Sequence, residues 1–282
     1  MPHATLSNGS LYYEEQGTGE LIILLPGLGH DHTYFEKTLP LIAAAGRVVT
    51  PDPRGLGQSS PASSYSVEQW AMDVLDLIAF FKAPRAHLVG SSLGACVCMQ
   101  AALAQPAKVA SLTLVAGFSE VDPLLEMNFR TRLKILDAVG LGDLMASHVS
   151  MWTLGRTFLA TADGRAQMDK LFASVRKNSP ERYRAFIETL LRFGRCEPDQ
   201  AEQPKLTARL GEIACPTRVI CGDEDIMTPP ALSEHMTQRI PGADMRVIPR
   251  CGHISFTEQP AETSRLVVEF LQKVKKVSHA SG

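Results

Sequence analysis

Residues 21–25, Leu-Ile-Ile-Leu-Leu, are apolar without a break. A short unbroken run of this kind is the pattern of a strand covered on both faces, as in a parallel sheet. Ala86-His87-Leu88-Val89, residues 111–115 and Arg47-Val48-Val49-Thr50 read the same way, and Leu11-Tyr12-Tyr13-Glu14 reads as an edge strand. Between these runs the apolar positions fall at helical spacing, at 33–45 despite Pro40, at 66–81 and at 95–104. Ser66-Val67-Glu68-Gln69 is a capping box at the head of the second of these. Strand and helix alternate in this way only in a parallel sheet covered by helices on both faces.

The alternation stops near residue 119 and resumes near 206. The segment 119–205 offers helices and no convincing strand, with one helix opening at Ser179-Pro180-Glu181. Leu133, Leu136, Phe158, Phe172, Phe186, Leu190 and Phe193 recur there at helical spacing as core positions. Met127, Met145, Met151 and Trp152 are candidates to line a pocket, Met127 and Trp152 foremost as substrate-binding residues. Beyond the segment, Thr217-Arg218-Val219-Ile220 is a strand, Thr228-Pro229-Pro230 caps a helix to 239, residues 245–248 form the last strand and 260–274 a closing helix. The expected organisation is a core of residues 1–118 and 206–282, interrupted by a helical lid at 119–205.

Composition narrows the partners. The chain of 282 residues is 45% hydrophobic and 21% charged, with a net charge of −2. That balance points to neither nucleic acid nor an anionic membrane surface. The first 16 residues carry no secretory pattern, so a cytoplasmic protein is expected. Six cysteines form no metal or disulfide pattern. Cys96 and Cys98 read as helix packing, and Cys221 and Cys251, at the ends of two strands, as buried free thiols. The tail at 273–282 is expected to fray.

The chemistry centres on Gly90-Ser91-Ser92-Leu93-Gly94, placed between a strand and a helix. This Gly-x-Ser-x-Gly turn needs glycines because side chains at 90 and 94 would strike the neighbouring strand or helix. It lifts the Ser92 hydroxyl above the sheet edge, with the Leu93 amide at the helix N-terminus facing a developing oxyanion. A serine nucleophile needs a base, and the base an orienting acid. Gly222-Asp223-Glu224-Asp225 and Arg250-Cys251-Gly252-His253 follow later strands and emerge at the same edge, in the order Ser, Asp, His. Leu25-Pro26-Gly27-Leu28-Gly29 follows the first buried strand, so the Leu28 amide can pair with that of Leu93. His30 and His32 come next and are either pocket residues or exposed ones. The Gly-x-Gly at 55–57 is no dinucleotide fingerprint, since the third glycine and the helix are missing. Arg130, Arg132, Arg182, Arg184, Arg192 and Arg195 are interspersed with acids in the helical segment. They read as a solvated face, although one turned inward would hold a substrate carboxylate.

Together these residues resemble the α/β-hydrolase fold family over nearly the whole chain. The resemblance implies Ser92 as nucleophile, His253 as base, Asp225 as acid, and the Leu28 and Leu93 amides as the oxyanion hole. Arg54-Gly55-Leu56-Gly57-Gln58-Ser59 resembles the turn common in lidded members. Gly222 to Pro229 and Gly252 to Pro260 are similar to 3-oxoadipate enol-lactonases and related carboxylesterases. Haloalkane dehalogenases and epoxide hydrolases place aspartate where Ser92 stands, and proline iminopeptidases place tryptophan where Leu93 stands. Pro26 departs from the histidine of many relatives. The implied activity is hydrolysis of a small carboxylic ester or lactone through an acyl-enzyme, with no metal or organic cofactor. The same residues also serve carbon–carbon bond hydrolases, and ligand receptors that signal through a protein partner. Nothing in the pattern specifies an oligomeric state.

Overall fold

The computed structural model describes residues 2–194 and 206–280. Eight strands form one sheet: β1 (His3–Leu6), β2 (Gly9–Gln16), β3 (Leu21–Leu25), β4 (Arg47–Pro51), β5 (Ala86–Ser91), β6 (Val109–Val115), β7 (Thr217–Gly222) and β8 (Asp244–Ile248). Their order is β1-β2-β4-β3-β5-β6-β7-β8. The first two pairings are antiparallel and the rest parallel. β2 is therefore not the edge strand its sequence suggests. The edge belongs to β1, which folds back on β2 with Leu6 opposite Gly9. A strand of four residues is too short to show a period of two.

Every residue of β3, β5, β6 and β7 is buried. Alternate side chains feed two cores, one on each face. Ile23, Leu25, Leu88, Leu112 and Leu114 pack with α1 (Val67–Phe80) and α2 (Leu93–Ala104). Ile22, Leu24, Val89, Val115 and Ile220 pack with Phe256 and with Leu266, Val267 and Leu271 of the closing helix. Burial of each such side chain stabilises the fold by about 1.5–3 kcal/mol. Ser66 caps α1 as its sequence predicts, accepting a hydrogen bond from the Gln69 amide.

Two expectations require correction. Residues 33–45 do not form one helix: a 3-10 turn at His32–Phe35 is followed by a single turn at Leu39–Ile42 and a second 3-10 turn at Ala43–Ala45. Pro40 has no amide proton and so cannot continue a helix begun before it. The closing helix runs from Pro260 to Ala280, past its expected end at 274, and residues 281–282 of the tail lie outside the described residues.

Between β6 and β7 the described residues contain helices and no strand. They are α3 (Pro123–Val139), α4 (Asp143–Thr153), α5 (Ala162–Lys177) and α6 (Pro180–Gly194), with short turns at Arg156–Leu159 and Leu206–Arg209. Asp122 and Thr161 cap α3 and α5. α6 buries Tyr183, Phe186, Ile187, Leu190 and Leu191, and sets Phe186 edge-on to Tyr65 and Trp70. Arg195 and the segment's expected end at Lys205 lie outside the described residues.

The strand order creates the crevice. From β3 the chain moves to β4 on one side, then crosses to β5 on the other. The loops leaving β3 and β5 thus diverge at a topological switch point, where open α/β sheets place their ligands.

Candidate active site

The turn after β5 is strained at one residue. Ser92 has φ +53° and ψ −116°, outside the region that side chains favour, and it opens α2. A Cβ on Gly90 would stand 2.3 Å from the Gly94 carbonyl oxygen, and one on Gly94 2.2 Å from that of Leu25. Both glycines are needed for close backbone approach. The Ser92 amide donates to the Val115 carbonyl across 2.9 Å, which pins the turn to β6. The neighbouring Ser91 is buried, its hydroxyl 3.2 Å from the Tyr34 hydroxyl. Gly27, in the loop after β3, lies against Ser92: a Cβ there would sit 3.3 Å from the Ser92 Cβ. The Leu28 and Leu93 amides, one from each loop, donate to no acceptor among the described residues.

Of the three carboxylates after β7, Asp225 meets the histidine. Its Oδ2 is 2.8 Å from His253 Nδ1, and both side chains are buried. Its Oδ1 accepts the Met227 and Thr228 amides at 2.9 and 2.8 Å. The carboxylate is thus held by its own loop while one oxygen remains for the ring. A proton on Nδ1 directed at Asp225 leaves Nε2 as an acceptor. Asp223 and Glu224 do other work. Asp223 accepts the Cys251 amide at 3.3 Å, and Glu224 accepts the Thr157 amide at 2.7 Å and the Thr157 hydroxyl. Gly222 allows the two loops to touch, since a Cβ there would be 2.1 Å from the Cys251 carbonyl oxygen.

Thr228 was legible only as a helix cap. In the structure Pro229 is the cap, and the Thr228 hydroxyl joins the acid to the base. It lies 2.8 Å from Asp225 Oδ2, 3.0 Å from His253 Nδ1 and 3.0 Å from the Ala116 carbonyl. The spacing of Asp225 and Thr228, three residues apart before a helix, is the available signal.

The helical segment is tied to both loops. At the end of α4, the Thr153 carbonyl accepts the His253 amide at 2.9 Å. Glu258 accepts the Gly252 amide at 2.8 Å and the Gly155 amide at 3.3 Å. Burial pushes the Glu258 carboxyl up to about 7, against the opposing pull of those two amides. No local pattern exposes the contacts of Thr153 with His253 and of Gly155 with Glu258, because each joins residues about 100 positions apart.

The expected substrate-binding residues separate. Met127 is 56% exposed on the outer side of α3, so it does not line an enclosed pocket. The same helix turns Asn128 and Arg132 inward, and both are buried. Met145 is buried and Met151 exposed. Trp152 is partly buried against the core, with its Nε1 enclosed and unpartnered. His30 is pushed down to about 4, chiefly by desolvation, with His253 and Arg132 acting in the same direction. Its ring lies 4.8 Å from that of Tyr34. A cleft lined by His30, Tyr34, Leu171, Ser174, Ile254 and Thr257 runs beside it.

His32 packs into the turn after β4, its Nδ1 2.6 Å from Asp52 Oδ1. Asp31, His32 and Asp52 could together face a cation. However, Asp52 also accepts the His32 and Gln58 amides, and Asp31 the Thr33 amide. These groups shape turns. Arg54 does so too, through paired contacts of 2.8 and 2.6 Å to Asp73. Cys96, Cys98, Cys215, Cys221 and Cys251 are all free.

Known proteins match this chain in sequence and in fold. The profile of the alpha/beta hydrolase fold family covers residues 20–260, and the chain belongs to that family. The chain is 30% identical over 270 residues to the Variovorax paradoxus protein named "Putative carbamate hydrolase RutD", with 94% of this chain and 97% of that protein covered. It is 27% identical over 254 residues to 3-oxoadipate enol-lactonase 1 of Acinetobacter baylyi, covering 90% and 89%. Among solved structures, a thermophilic esterase from Thermogutta terrifontis aligns at 25% identity with a TM-score of 0.83, covering 97% and 98%. The enol-lactonase from Burkholderia xenovorans LB400 aligns at 22% identity and 0.82, covering 96% and 100%, a likeness of fold. Among the described residues no helix is long and apolar enough to cross a membrane.

Proposed function

We propose that the protein is a serine hydrolase of a small carboxylic ester or lactone, with Ser92, His253 and Asp225 as its triad. The observation that carries this reading is the 2.8 Å contact of His253 Nδ1 with Asp225 Oδ2, at the sheet edge where Ser92 is held at φ +53°. Ser92 Oγ attacks the carbonyl carbon while His253 Nε2 takes its proton, and Asp225 stabilises the imidazolium. The Leu28 and Leu93 amides, left without acceptors, hold the tetrahedral oxyanion. Collapse expels the alkoxide, which takes the proton from His253. Water, deprotonated by the same nitrogen, then attacks the acyl carbon; Ser92 Oγ leaves, takes that proton back from His253, and the acid is released. Residues 119–205 act in this reading as the lid that encloses the acyl group. The described thiols being free supports a reducing, cytoplasmic setting. The names of the enol-lactonase and esterase relatives support the substrate class, and that of the carbamate hydrolase extends it to a carbonyl of the same acyl chemistry.

A fluorophosphonate probe tests the reading. It should label Ser92, and Ser92→Ala should abolish both labelling and hydrolysis of p-nitrophenyl esters. Labelling at Ser91, or hydrolysis surviving in folded Ser92→Ala, overturns the assignment.

A further inference from the structure

Among the described residues three arginines are buried to within 4% exposure: Arg54, Arg132 and Arg218. Arg54 is paired with Asp73, and Arg218 with Asp244 at 2.8 Å and Glu269 at 3.1 Å. Arg132 has no carboxylate within 4.0 Å among the described residues. Its Nη2 reaches only the Met227 sulfur at 3.7 Å, its Nε has no partner, and its guanidinium sits 5.8 Å from the Phe129 ring centre. A guanidinium cannot shed its proton to escape burial. An uncompensated buried charge costs several kcal/mol, and no counter-charge meets this one among the described residues.

Polar groups on α3 and α4 are also unsatisfied. Asn128, one turn earlier on α3, is buried with neither its Oδ1 nor its Nδ2 bonded. Trp152 Nε1 and His148 Nε2, both on α4, are enclosed without partners, with the two rings 6.2 Å apart. The Arg132 charge acts on both His148 and His30. This cluster stands beside the candidate chemistry. Met227, which touches Arg132, donates its amide to Asp225, and His30 feels both Arg132 and His253. One fixed positive charge, an open carboxamide one turn earlier on α3 and an open indole N–H on α4 suit a singly charged anion with two acceptor oxygens.

We propose that Arg132, with Asn128 and Trp152, is a subsite for a carboxylate carried by the substrate, so that the preferred ester or lactone is anionic. The proposal rests on the hydrolase reading and narrows its substrate class. Arg132 is a specificity-determining residue here, and takes no part in bond making.

The test uses the full chain and two matched substrates, the p-nitrophenyl monoester of succinic acid and its neutral methyl diester. The wild type should favour the anionic monoester in kcat/KM. In Arg132→Gln the ratio of anionic to neutral kcat/KM should fall by about 10- to 100-fold, the range of hydrogen bonds to a charged group. Arg132→Lys should restore part of the ratio. A ratio unchanged by Arg132→Gln, or no preference in the wild type, overturns the proposal and leaves the hydrolase reading intact. A second arm needs no turnover: binding of monomethyl succinate to Ser92→Ala, by calorimetry, should be lost when Arg132→Gln is added. If neither ester is hydrolysed and no probe labels Ser92, the hydrolase reading fails and this arm decides alone. Binding that depends on Arg132 then supports the subsite, and its absence overturns it.

Discussion

The sheet core and the α3–α4 region treat buried charge in opposite ways. Arg54 and Arg218, in the core, are closed by carboxylates at 2.6 to 2.8 Å. In the core the side-chain atoms left without partners are mainly single hydroxyls, such as those of Thr50, Thr113 and Ser264. In α3 and α4 they are a guanidinium, a carboxamide, an imidazole and an indole. A polar group satisfied within the fold contributes to holding it; one left open in a buried place is available to a ligand. In the proposed reading the sheet edge carries the reaction, and the helical segment the choice of substrate. The turn at Thr153–Thr157 joins the two, since it is bonded to Glu224, His253 and Glu258.

This division predicts where substitutions act. The largest effect belongs to the sheet edge: Asp225→Asn should lower kcat by about 10²–10⁴, measured on p-nitrophenyl esters, because the charge that stabilises imidazolium is lost. Glu224→Gln should cost far less, and equal losses in folded variants would break the assignment of Asp225.

Next come the arginines. Arg54→Met strands Asp73 in the core and should destabilise by about 3–5 kcal/mol in chemical denaturation. Arg132→Met strands no carboxylate among the described residues and should leave stability equal or raise it. Comparable losses in both would erase the contrast between the regions.

A smaller effect follows from Glu258. Its carboxyl is raised from the ordinary 4.5 to about 7 by burial. Between those values the folded chain holds a proton that the unfolded chain has released, so this group's contribution to stability falls as pH rises through that window. Relative to wild type, Glu258→Gln should be more stable at pH 8 than at pH 5. Denaturation midpoints that track in parallel at both pH values would count against the junction as described.

The smallest effect is expected at Trp152. Trp152→Phe keeps an aromatic ring, smaller than the indole, but removes the open N–H, and should shift preference between anionic and neutral esters by no more than about tenfold while Ser92 still reacts with the probe. A loss of probe labelling would move Trp152 from selectivity to structure.

Much of this arrangement is written locally in the chain. The run at 21–25 makes a strand buried on both faces because five apolar residues admit no polar face. Gly90 and Gly94 mark the serine turn because only glycine avoids collision with the backbone at 2.2 to 2.3 Å. The chain order of Ser92, Asp225 and His253 places their loops at one sheet edge once the strands are parallel. Tertiary structure alone decided the rest. Met127, Asn128 and Arg132 lie within six positions on one helix, and nothing in their spacing says which face turns inward; packing against the core exposes the first and buries the other two. β1 pairs with β2 and takes the edge because of a hairpin too short to carry a pattern. Thr228 meets His253, and Glu258 meets Gly155, across 25 and 103 positions. Strand and turn propensities act over a few residues. The pairing of a buried charge, or its absence, depends on which distant surfaces the fold brings together.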